Sequence, residues 1–216
     1  MTAVDRRGCL ITIEGVEGVG KSTNVDFIQR HLRSQNREVV LTREPGGTSL
    51  GEELRRLLLD HRREGMVPDA ELLMIFAARA EHLARVIRPA LEAGRYVVCD
   101  RFTDATYAYQ GGGRGVTAAR IAVLEDWVQG ELRPDLTLIL DAPIEIGRRR
   151  AEGRKEEADR FEKEDAAFFH RVREGYLERA REHDQRYRVI DAGRDLSAVQ
   201  AQIAAVLDAW LEGRAV

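Results

Sequence analysis

Residues Gly15 to Ser22 have the types and spacing that bind phosphate: they read G-V-E-G-V-G-K-S. Glycines let the backbone of such a loop curl until successive N–H groups point at phosphate oxygens. The lysine then neutralises the β and γ phosphates, and the hydroxyl that follows it is a ligand for Mg²⁺. A glycine-rich turn that contains Lys-Ser by chance is the alternative. The phosphate-binding interpretation covers Gly15, Val16, Glu17, Gly18, Val19, Gly20, Lys21, Ser22 and Thr23.

The segments on either side of the loop favour phosphate binding over a chance turn. The apolar run from Cys9 to Ile13 predicts a buried strand, and Val25, Ile28 and Leu32 recur at helical spacing. A strand, a glycine loop and a helix in this order form the context that the motif requires. The start of the helix adds the positive end of its dipole to the phosphate site.

Three further polar groups have residue types that suit phosphate or nucleotide contacts. Arg43-Glu44-Pro45-Gly46-Gly47 follows a predicted strand, although a solvated turn fits this segment equally well. Asp100 and Arg101 close another apolar strand: the carboxylate can act on Mg²⁺ or its waters and the guanidinium can grip a phosphate, while a structural ion pair is the alternative. The segment from Tyr107 to Arg114 combines aromatic hydroxyls, an amide and a flexible triple glycine, which suits contact with a ligand, while an ordinary surface loop is the alternative.

A helical stripe near Phe76 contains an unexpected cation. Phe76, Arg79 and Leu83 fall at positions i, i+3 and i+7, so a guanidinium shares a face with apolar side chains. Core packing explains Phe76, but a buried guanidinium requires a partner. A nucleobase that stacks on Phe76 and accepts a hydrogen bond from Arg79 satisfies both residues.

Alternating apolar runs and helical patterns predict an α/β fold with a five-stranded parallel sheet and helices on both faces. At 216 residues the chain is expected to form one domain, residues 1–216, with no linker composition. Ligands in such sheets bind beyond the carboxyl ends of the strands. The predicted strands are Leu10–Glu14, Glu38–Thr42, Tyr96–Asp100, Leu136–Asp141 and Arg188–Asp191.

Composition narrows the class of protein further. The formal net charge is −3, which does not favour a sequence-independent grip on nucleic acid or on an acidic membrane surface. No run approaches the roughly 18 apolar residues of a membrane span, and no signal peptide is recognisable. We therefore expect a cytoplasmic protein that binds neither nucleic acid nor membrane. Cys9 and Cys99 lie in strand-like runs, which predicts reduced, buried thiols.

In their order along the chain, these motifs resemble those of the bacterial thymidylate kinase family. The resemblance covers essentially the whole chain and implies a P-loop fold like that of other nucleoside monophosphate kinases, a homodimer, and Mg²⁺-assisted transfer of the ATP γ-phosphoryl group to dTMP. Another nucleoside monophosphate or deoxynucleoside kinase is the alternative; a nucleotide-dependent switch is disfavoured because the chain lacks an Asn-Lys-x-Asp motif. The motifs are I-E-G-V-E-G-V-G-K-S-T, R-E-P-G-G, F-A-A-R-A-E-H, D-R-F, Y-Q-G-G-G-R-G and D-R-F-E.

The resemblance also implies an acceptor site. Phe76 would stack on thymine, Arg79 would hydrogen-bond the base edge, and Gln110 would lie near the base. Arg101 would hold the acceptor phosphate, and Tyr109 would crowd the ribose 2′ position. The dTMP site so implied consists of Glu17, Arg43, Pro45, Phe76, Arg79, Arg101, Thr106, Tyr109 and Gln110, and the metal site of Ser22 and Asp100.

Glu17, inside the loop, would reach the sugar 3′-hydroxyl or order a water on the metal. Because the acceptor phosphate oxygen is already ionised at neutral pH, no general base is expected, and catalysis would consist of positioning and charge neutralisation. Lys21, Arg101, Glu17 and an arginine from a lid would share this role.

Residues 148–162 form a charged, poorly apolar stretch that predicts this lid. A solvated helix face is the alternative for most of its arginines. The loop from Gly15 to Ser22 contains no arginine, and relatives of that kind supply one from the lid, which here points to Arg154 first and Arg150 second. Arg149 would pack against adenine, and the turn at Ala192 would form the other wall of the ATP pocket.

Overall fold

The computed structural model describes residues 7–60, 65–152, 160–161, 164–182 and 185–214. Within these ranges, five parallel strands form one sheet in the order β2-β3-β1-β4-β5. This confirms the predicted α/β fold: three strands have the predicted bounds, and β2 and β5 each begin one residue away from the prediction. The strands are β1 Leu10–Glu14, β2 Val39–Arg43, β3 Tyr96–Asp100, β4 Leu136–Asp141 and β5 Tyr187–Asp191.

Helices connect successive strands, as parallel pairing requires. A π-helical segment, Leu83–Ile87, joins α3 to α4, and a second one, Tyr107–Gly113, continues α5. The helices are α1 Lys21–Ser34, α2 Ser49–Leu59, α3 Pro68–His82, α4 Arg88–Glu92, α5 Thr103–Thr106, α6 Ala118–Gln129, α7 Ile144–Glu152, α8 Ala166–Glu182 and α9 Leu196–Arg214. None of these described helices is long and apolar enough to cross a lipid bilayer.

The central strand β1 is buried along its whole length. Successive side chains of a strand point to opposite faces, and β1 shows this directly: Leu10 packs in one apolar cluster, and Ile11 and Ile13 pack in another. Helices therefore cover both faces of the sheet, as predicted. Cys9 and Cys99 are buried and unpaired, in agreement with the expectation of reduced core thiols.

The carboxyl ends of the strands meet at one edge of the sheet because all five strands run in the same direction. All five strands end there in a charged residue: Glu14, Arg43, Asp100, Asp141 and Asp191. Helix dipoles and backbone N–H groups at this edge favour anionic ligands. The edge is thus the place where polar side chains from distant parts of the sequence converge.

The segment Tyr107–Gly113 is helical, so the flexibility expected of its triple glycine and the alternative of an ordinary surface loop are both wrong. Its glycines serve close packing against α8. A Cβ on Gly112 would lie 2.7 Å from the carbonyl oxygen of Arg171, and a Cβ on Gly113 would lie 2.5 Å from the ring of Phe168. The apparent flexibility of a triple glycine is therefore removed by a neighbouring helix that only glycine allows to approach this closely.

Two of the three glycines provide a matched test of this packing. Gly112→Ala places its Cβ against a backbone carbonyl, so we expect the free energy of unfolding to fall by about 1–3 kcal/mol. Gly111→Ala is the control, because the nearest atom to its Cβ is the Ile121 methyl at 3.5 Å. That variant should be neutral or up to about 1 kcal/mol more stable, since alanine favours helix. Urea unfolding measures both, and equal stabilities would contradict the packing argument.

Candidate active site

A cavity of about 220 Å³ opens at the carboxyl edge of the sheet. Side chains from six separate parts of the sequence line it, which explains why no single motif reveals it. The phosphate loop and the start of α1 form one end, and α3 with the π-helical segment forms the other. The lining residues used below are Glu17, Gly18, Lys21, Ser22, Glu44, Pro45, Arg55, Leu58, Ile75, Arg79, Asp100, Arg101, Thr106, Tyr109, Gln110 and Phe161.

The phosphate loop joins β1 to α1, as predicted. Gly18 has φ +75°, and a Cβ there would lie 1.9 Å from the carbonyl oxygen of Gly147, so only glycine fits. Val16 and Val19 anchor the loop in the core, whereas Ser22 and Thr23 are exposed at the start of α1. The loop is therefore fixed from behind and presents its polar groups to the cavity.

Lys21 folds back over this loop. Its Nζ donates to the carbonyl oxygens of Gly15 at 3.0 Å and Val16 at 2.8 Å. Burial, followed by repulsion from the Arg101 guanidinium, lowers the pKa of Lys21 to about 8, although Asp100 and other nearby carboxylates oppose the shift. The charged form of this lysine is thus held at a cost that a bound polyanion would offset.

Arg101 is held in the cavity by contacts with several parts of the chain. Its backbone adopts φ +67°, a left-handed conformation that disfavours a residue with a Cβ. Nη1 donates to the carbonyl oxygen of Gly15 at 2.9 Å and to the Tyr176 hydroxyl at 3.0 Å, and Nη2 donates to Glu17 at 2.8 Å. The guanidinium also lies 4.8 Å from the centre of the Tyr109 ring. These contacts fix its plane between the phosphate loop and α8.

Tyr109 and Glu17 contact each other beside Arg101. The Tyr109 hydroxyl donates to both carboxylate oxygens of Glu17, each at 2.7 Å. Burial raises the pKa of Tyr109 well above its ordinary value, so the hydroxyl stays protonated at neutral pH. Phe161 packs edge-on against the same ring with centroids 5.8 Å apart. Aromatic faces and a carboxylate therefore surround the space next to Arg101.

The other end of the cavity contains Arg79, which is 1% exposed. Its Nε donates to Glu44 at 2.6 Å, and its Nη2 donates to the Thr106 hydroxyl at 3.0 Å. Nη1 is buried and has no hydrogen-bond partner among the described residues. Arg79 therefore has donor capacity in addition to the contacts that hold it.

Phe76 does not line the cavity, and the prediction that it stacks on a base does not fit this geometry. Its ring packs with Leu72, Val116 and Ile121, 4.8 Å from the Arg79 guanidinium. Ile75 lines the cavity instead. Each helical residue is turned by about 100° from the preceding one. Ile75 therefore shares a face with Arg79 at i+4, whereas the Phe76 ring turns toward Ile121 of α6 and contacts the arginine from beside it.

Three other predicted arginines lie outside the cavity. Arg43 is about half exposed and pairs with Glu52 at 2.9 Å. Arg150 donates to the carbonyl oxygens of Ala192 at 2.8 Å and Arg194 at 3.2 Å, so it braces the turn after β5 rather than the phosphate loop. Arg149 is exposed on α7. Arg154 lies outside the described residues, as does much of the predicted lid.

Sequence reasoning missed several residues of the cavity besides Ile75, and two of them are Arg55 and Phe161. Arg55 lines it from α2 and donates to the carbonyl oxygen of Pro45 at 3.0 Å. Its signal in the sequence was its i+3 relation to Leu58, since a cation on an apolar stripe needs a partner. Phe161 lies in the D-R-F-E motif, but nothing in that motif shows which wall it forms.

Ser22 and Asp100, the predicted metal ligands, line the same cavity. Asp100 Oδ1 is buried and has no hydrogen-bond partner among the described residues. An unsatisfied buried carboxylate oxygen of this kind fits a hard cation, which prefers oxygen ligands. The donor set therefore suits Mg²⁺ in combination with nucleotide phosphates.

A phosphate loop between the first strand and helix of a parallel sheet, facing a cavity lined with arginine, defines a P-loop kinase of the nucleoside monophosphate kinase class. A family model described as thymidylate kinase matches residues 13–203. The chain belongs to the thymidylate kinase family and is an ATP-dependent phosphotransferase.

Individual relatives support this assignment over nearly the whole chain. Thymidylate kinases of Pseudomonas putida and Ectopseudomonas mendocina are each 60% identical over 205 residues, which are 95% of this chain and 97% of each relative. The crystal structure of thymidylate kinase from Ehrlichia chaffeensis matches with a TM-score of 0.75 at 34% identity. The match covers 93% of this chain and 99% of that one.

The lowered pKa of Lys21 predicts an alkaline limit on nucleotide binding. Only the charged lysine attracts phosphate, so kcat/KM for ATP should fall as pH rises above about 8, approaching tenfold per pH unit. Bound phosphates raise the lysine pKa again, so ATP binding near pH 8.5 should take up protons. Calorimetry in two buffers of different ionisation enthalpy measures that uptake.

Lys21→Arg is the control, because its charge persists across this range. Proton uptake near pH 8.5 should disappear in that variant. An unchanged uptake, or a wild-type profile that stays flat to pH 10, would assign the titration to another group.

Proposed function

We propose that this cavity catalyses transfer of the γ-phosphoryl group of ATP to the 5′-phosphate of dTMP, giving dTDP and ADP. One observation carries the proposal: a donor loop with Lys21 and an acceptor pocket with Arg101, Arg79 and Gln110 share a single cavity. A switch protein needs only the first of these. A kinase needs both within reach of one in-line displacement.

Charge neutralisation accounts for the chemistry. Lys21 approaches the transferred group from the donor side, and Arg101, held by Glu17 and Tyr176, faces the acceptor phosphate. Because the cations are fixed before the reaction begins, little reorganisation accompanies the redistribution of negative charge. The acceptor oxygen is already ionised, so Glu17 acts as a positioning group and not as a general base.

Mg²⁺ would be held by the Ser22 hydroxyl, Asp100 and the nucleotide phosphates, and when bound it supplies a Lewis acid that screens the phosphate charge. Among the described residues, no group of three or more His, Cys, Asp or Glu side chains forms a metal cage. A cation that takes most of its ligands from substrate and water is typical of phosphoryl transfer.

The base of the acceptor nucleotide would bind at the end of the cavity opposite the phosphate loop. Arg79 has a buried Nη1 that a carbonyl oxygen of thymine would satisfy, and Ile75 offers an apolar surface for the base. Gln110 and Thr106 line the same end. Tyr109, whose hydroxyl is fixed on Glu17, would present its ring to the ribose 2′ position and exclude a 2′-hydroxyl by size.

The adenine pocket is proposed on the other side of the loop. Arg150 donates a hydrogen bond to the carbonyl oxygen of Ala192 and so takes the place next to the turn after β5 that was predicted for Arg149. Arg150 and Ala192 would together contact adenine. Arg154 keeps its proposed role as the arginine that stabilises the transferring phosphoryl group.

A homodimer would use the surface of α3 and α6. Leu73, Val123 and Trp127 are exposed there by 56%, 67% and 82%, respectively. An ion pair between Arg120 and Asp69 at 2.8 Å joins the two helices beside these residues. Exposed apolar side chains on adjacent helices suit a self-complementary twofold contact.

A screen of nucleoside monophosphates with ATP and Mg²⁺ tests the reaction. We expect the highest kcat/KM for dTMP and negligible ATP hydrolysis without an acceptor. Lys21→Ala should lower kcat by at least about 100-fold with little change in melting temperature, since its charge acts on the phosphates. A better acceptor than dTMP would establish the alternative, another nucleoside monophosphate or deoxynucleoside kinase.

Light scattering after gel filtration tests the dimer. Trp127→Glu buries a charge in the proposed contact and should convert a dimer of the wild-type chain to a monomer. Leu196→Glu is the control, because Leu196 is 50% exposed at the start of α9. A wild-type monomer, or loss of the dimer in both variants, would reject this surface.

A further inference from the structure

Glu71 is a fully buried carboxylate on α3 that the reaction proposed above does not use. One of its oxygens accepts a hydrogen bond from Gln110 Nε2 at 2.7 Å, and the other accepts from Arg160 Nη2 at 2.6 Å. Arg114 Nε lies 3.5 Å from the first oxygen. A buried charge needs such partners. One of them, Gln110, belongs to the base end of the cavity.

Glu71 determines which end of the Gln110 amide is available to a ligand. A carboxylate paired with two guanidinium groups only accepts hydrogen bonds, so the amide must turn its NH₂ group toward Glu71. The opposite atom, Gln110 Oε1, has no partner among the described residues. Oε1 is not one of the buried polar atoms that lack a partner, and the Gln110 side chain lines the cavity. The cavity therefore contains an acceptor from Gln110 and donors from Arg79.

We propose that Glu71 is a specificity-determining positioning residue: it locks the Gln110 amide so that Oε1 accepts from a ring N–H of the acceptor base. The inference rests on the proposed function, in which the base lies beside Gln110. Thymine and uracil carry a proton on N3, whereas N3 of cytosine is an acceptor. With the amide locked, cytosine places an acceptor against an acceptor, and such a mismatch is strongly rejected in a desolvated pocket.

The two arginines that face Glu71 are themselves held in place by other contacts. Arg160 Nε donates to the carbonyl oxygen of Leu58 at 3.0 Å, and its guanidinium lies 4.6 Å from the Phe161 ring centre. Arg114 bridges Glu71 to Glu164, whose oxygen lies 2.6 Å from Arg114 Nη1. Arg160 and Arg114 both face Glu71, so either guanidinium alone keeps the carboxylate turned toward Gln110, and the amide has one orientation before any base binds.

The test compares kcat/KM for dTMP and dCMP. In Glu71→Gln the residue on α3 can donate as well as accept, so the Gln110 amide can turn over. We expect the preference for dTMP to fall at least about tenfold, through a higher KM for dTMP and improved use of dCMP. Glu164→Gln is the matched control: it removes a carboxylate from the same cluster without touching Gln110, and the preference should stay within about twofold of wild type.

A second variant covers the case in which Glu71→Gln leaves Arg160 unpaired and unfolds the protein. Glu71→Gln combined with Arg160→Gln removes one charge of each sign and should lose the preference for dTMP to the same extent. Arg160→Gln alone should keep it. Equal losses for dTMP and dCMP, with their ratio unchanged, would show a merely structural carboxylate and overturn the proposal.

Gln110→Leu separates this inference from the proposed function. If that change lowers the preference for dTMP and Glu71→Gln does not, the orienting role of Glu71 is wrong while the base site stands. If Gln110→Leu leaves the preference unchanged, Gln110 is not at the base, and both the inference and that part of the proposed site are wrong.

Discussion

The structure depends on the pairing of buried and partly buried guanidinium groups with carboxylates in and beside one cavity. Arg101 pairs with Glu17, Arg79 with Glu44, and Arg160 with Glu71. A single unpaired cation at such depth would cost several kcal/mol, so these pairs constrain the sequence in all the segments that supply them. They also fix the planes of the guanidinium groups. The same ion pairs therefore neutralise the guanidinium charges and hold these groups in place before a ligand binds.

The phosphate end of the cavity is balanced less completely. Lys21 lies close enough to Arg101 for repulsion to lower its pKa, and its protein partners are two backbone carbonyls. Asp100 and Glu17 oppose this shift without cancelling it, so a polyanion bound to the Lys21 ammonium would offset the cost of its burial. At the acceptor end Arg79 is paired with Glu44 before any ligand binds, whereas Lys21 at the phosphate end is held by backbone carbonyls. A bound nucleotide would supply the anionic partner of Lys21.

Packing between distant helices determines the shape of the acceptor end. Gly112 and Gly113 allow α8 to approach the π-helical segment, which places Tyr176 near Arg101 and Tyr109 near Glu17. The Tyr176 hydroxyl also donates to Glu14, whose pKa burial raises well above its ordinary value. Tyr176 therefore connects the end of β1, α8 and the acceptor arginine.

The sequence by itself determined the five strands, the phosphate loop, the ordered motifs of the family and most of the cavity residues, because periodicity and short motifs are local properties. Tertiary structure alone decided that Ile75, and not Phe76, faces the cavity, that Arg55 lines it instead of Arg43, and that Arg150 braces the turn at Ala192. These choices depend on partners that are far apart in the chain: 35 residues separate Arg79 from Glu44, and 39 separate Gln110 from Glu71. A local pattern shows that a buried charge needs a partner, but only the packed fold brings one particular partner within hydrogen-bond distance.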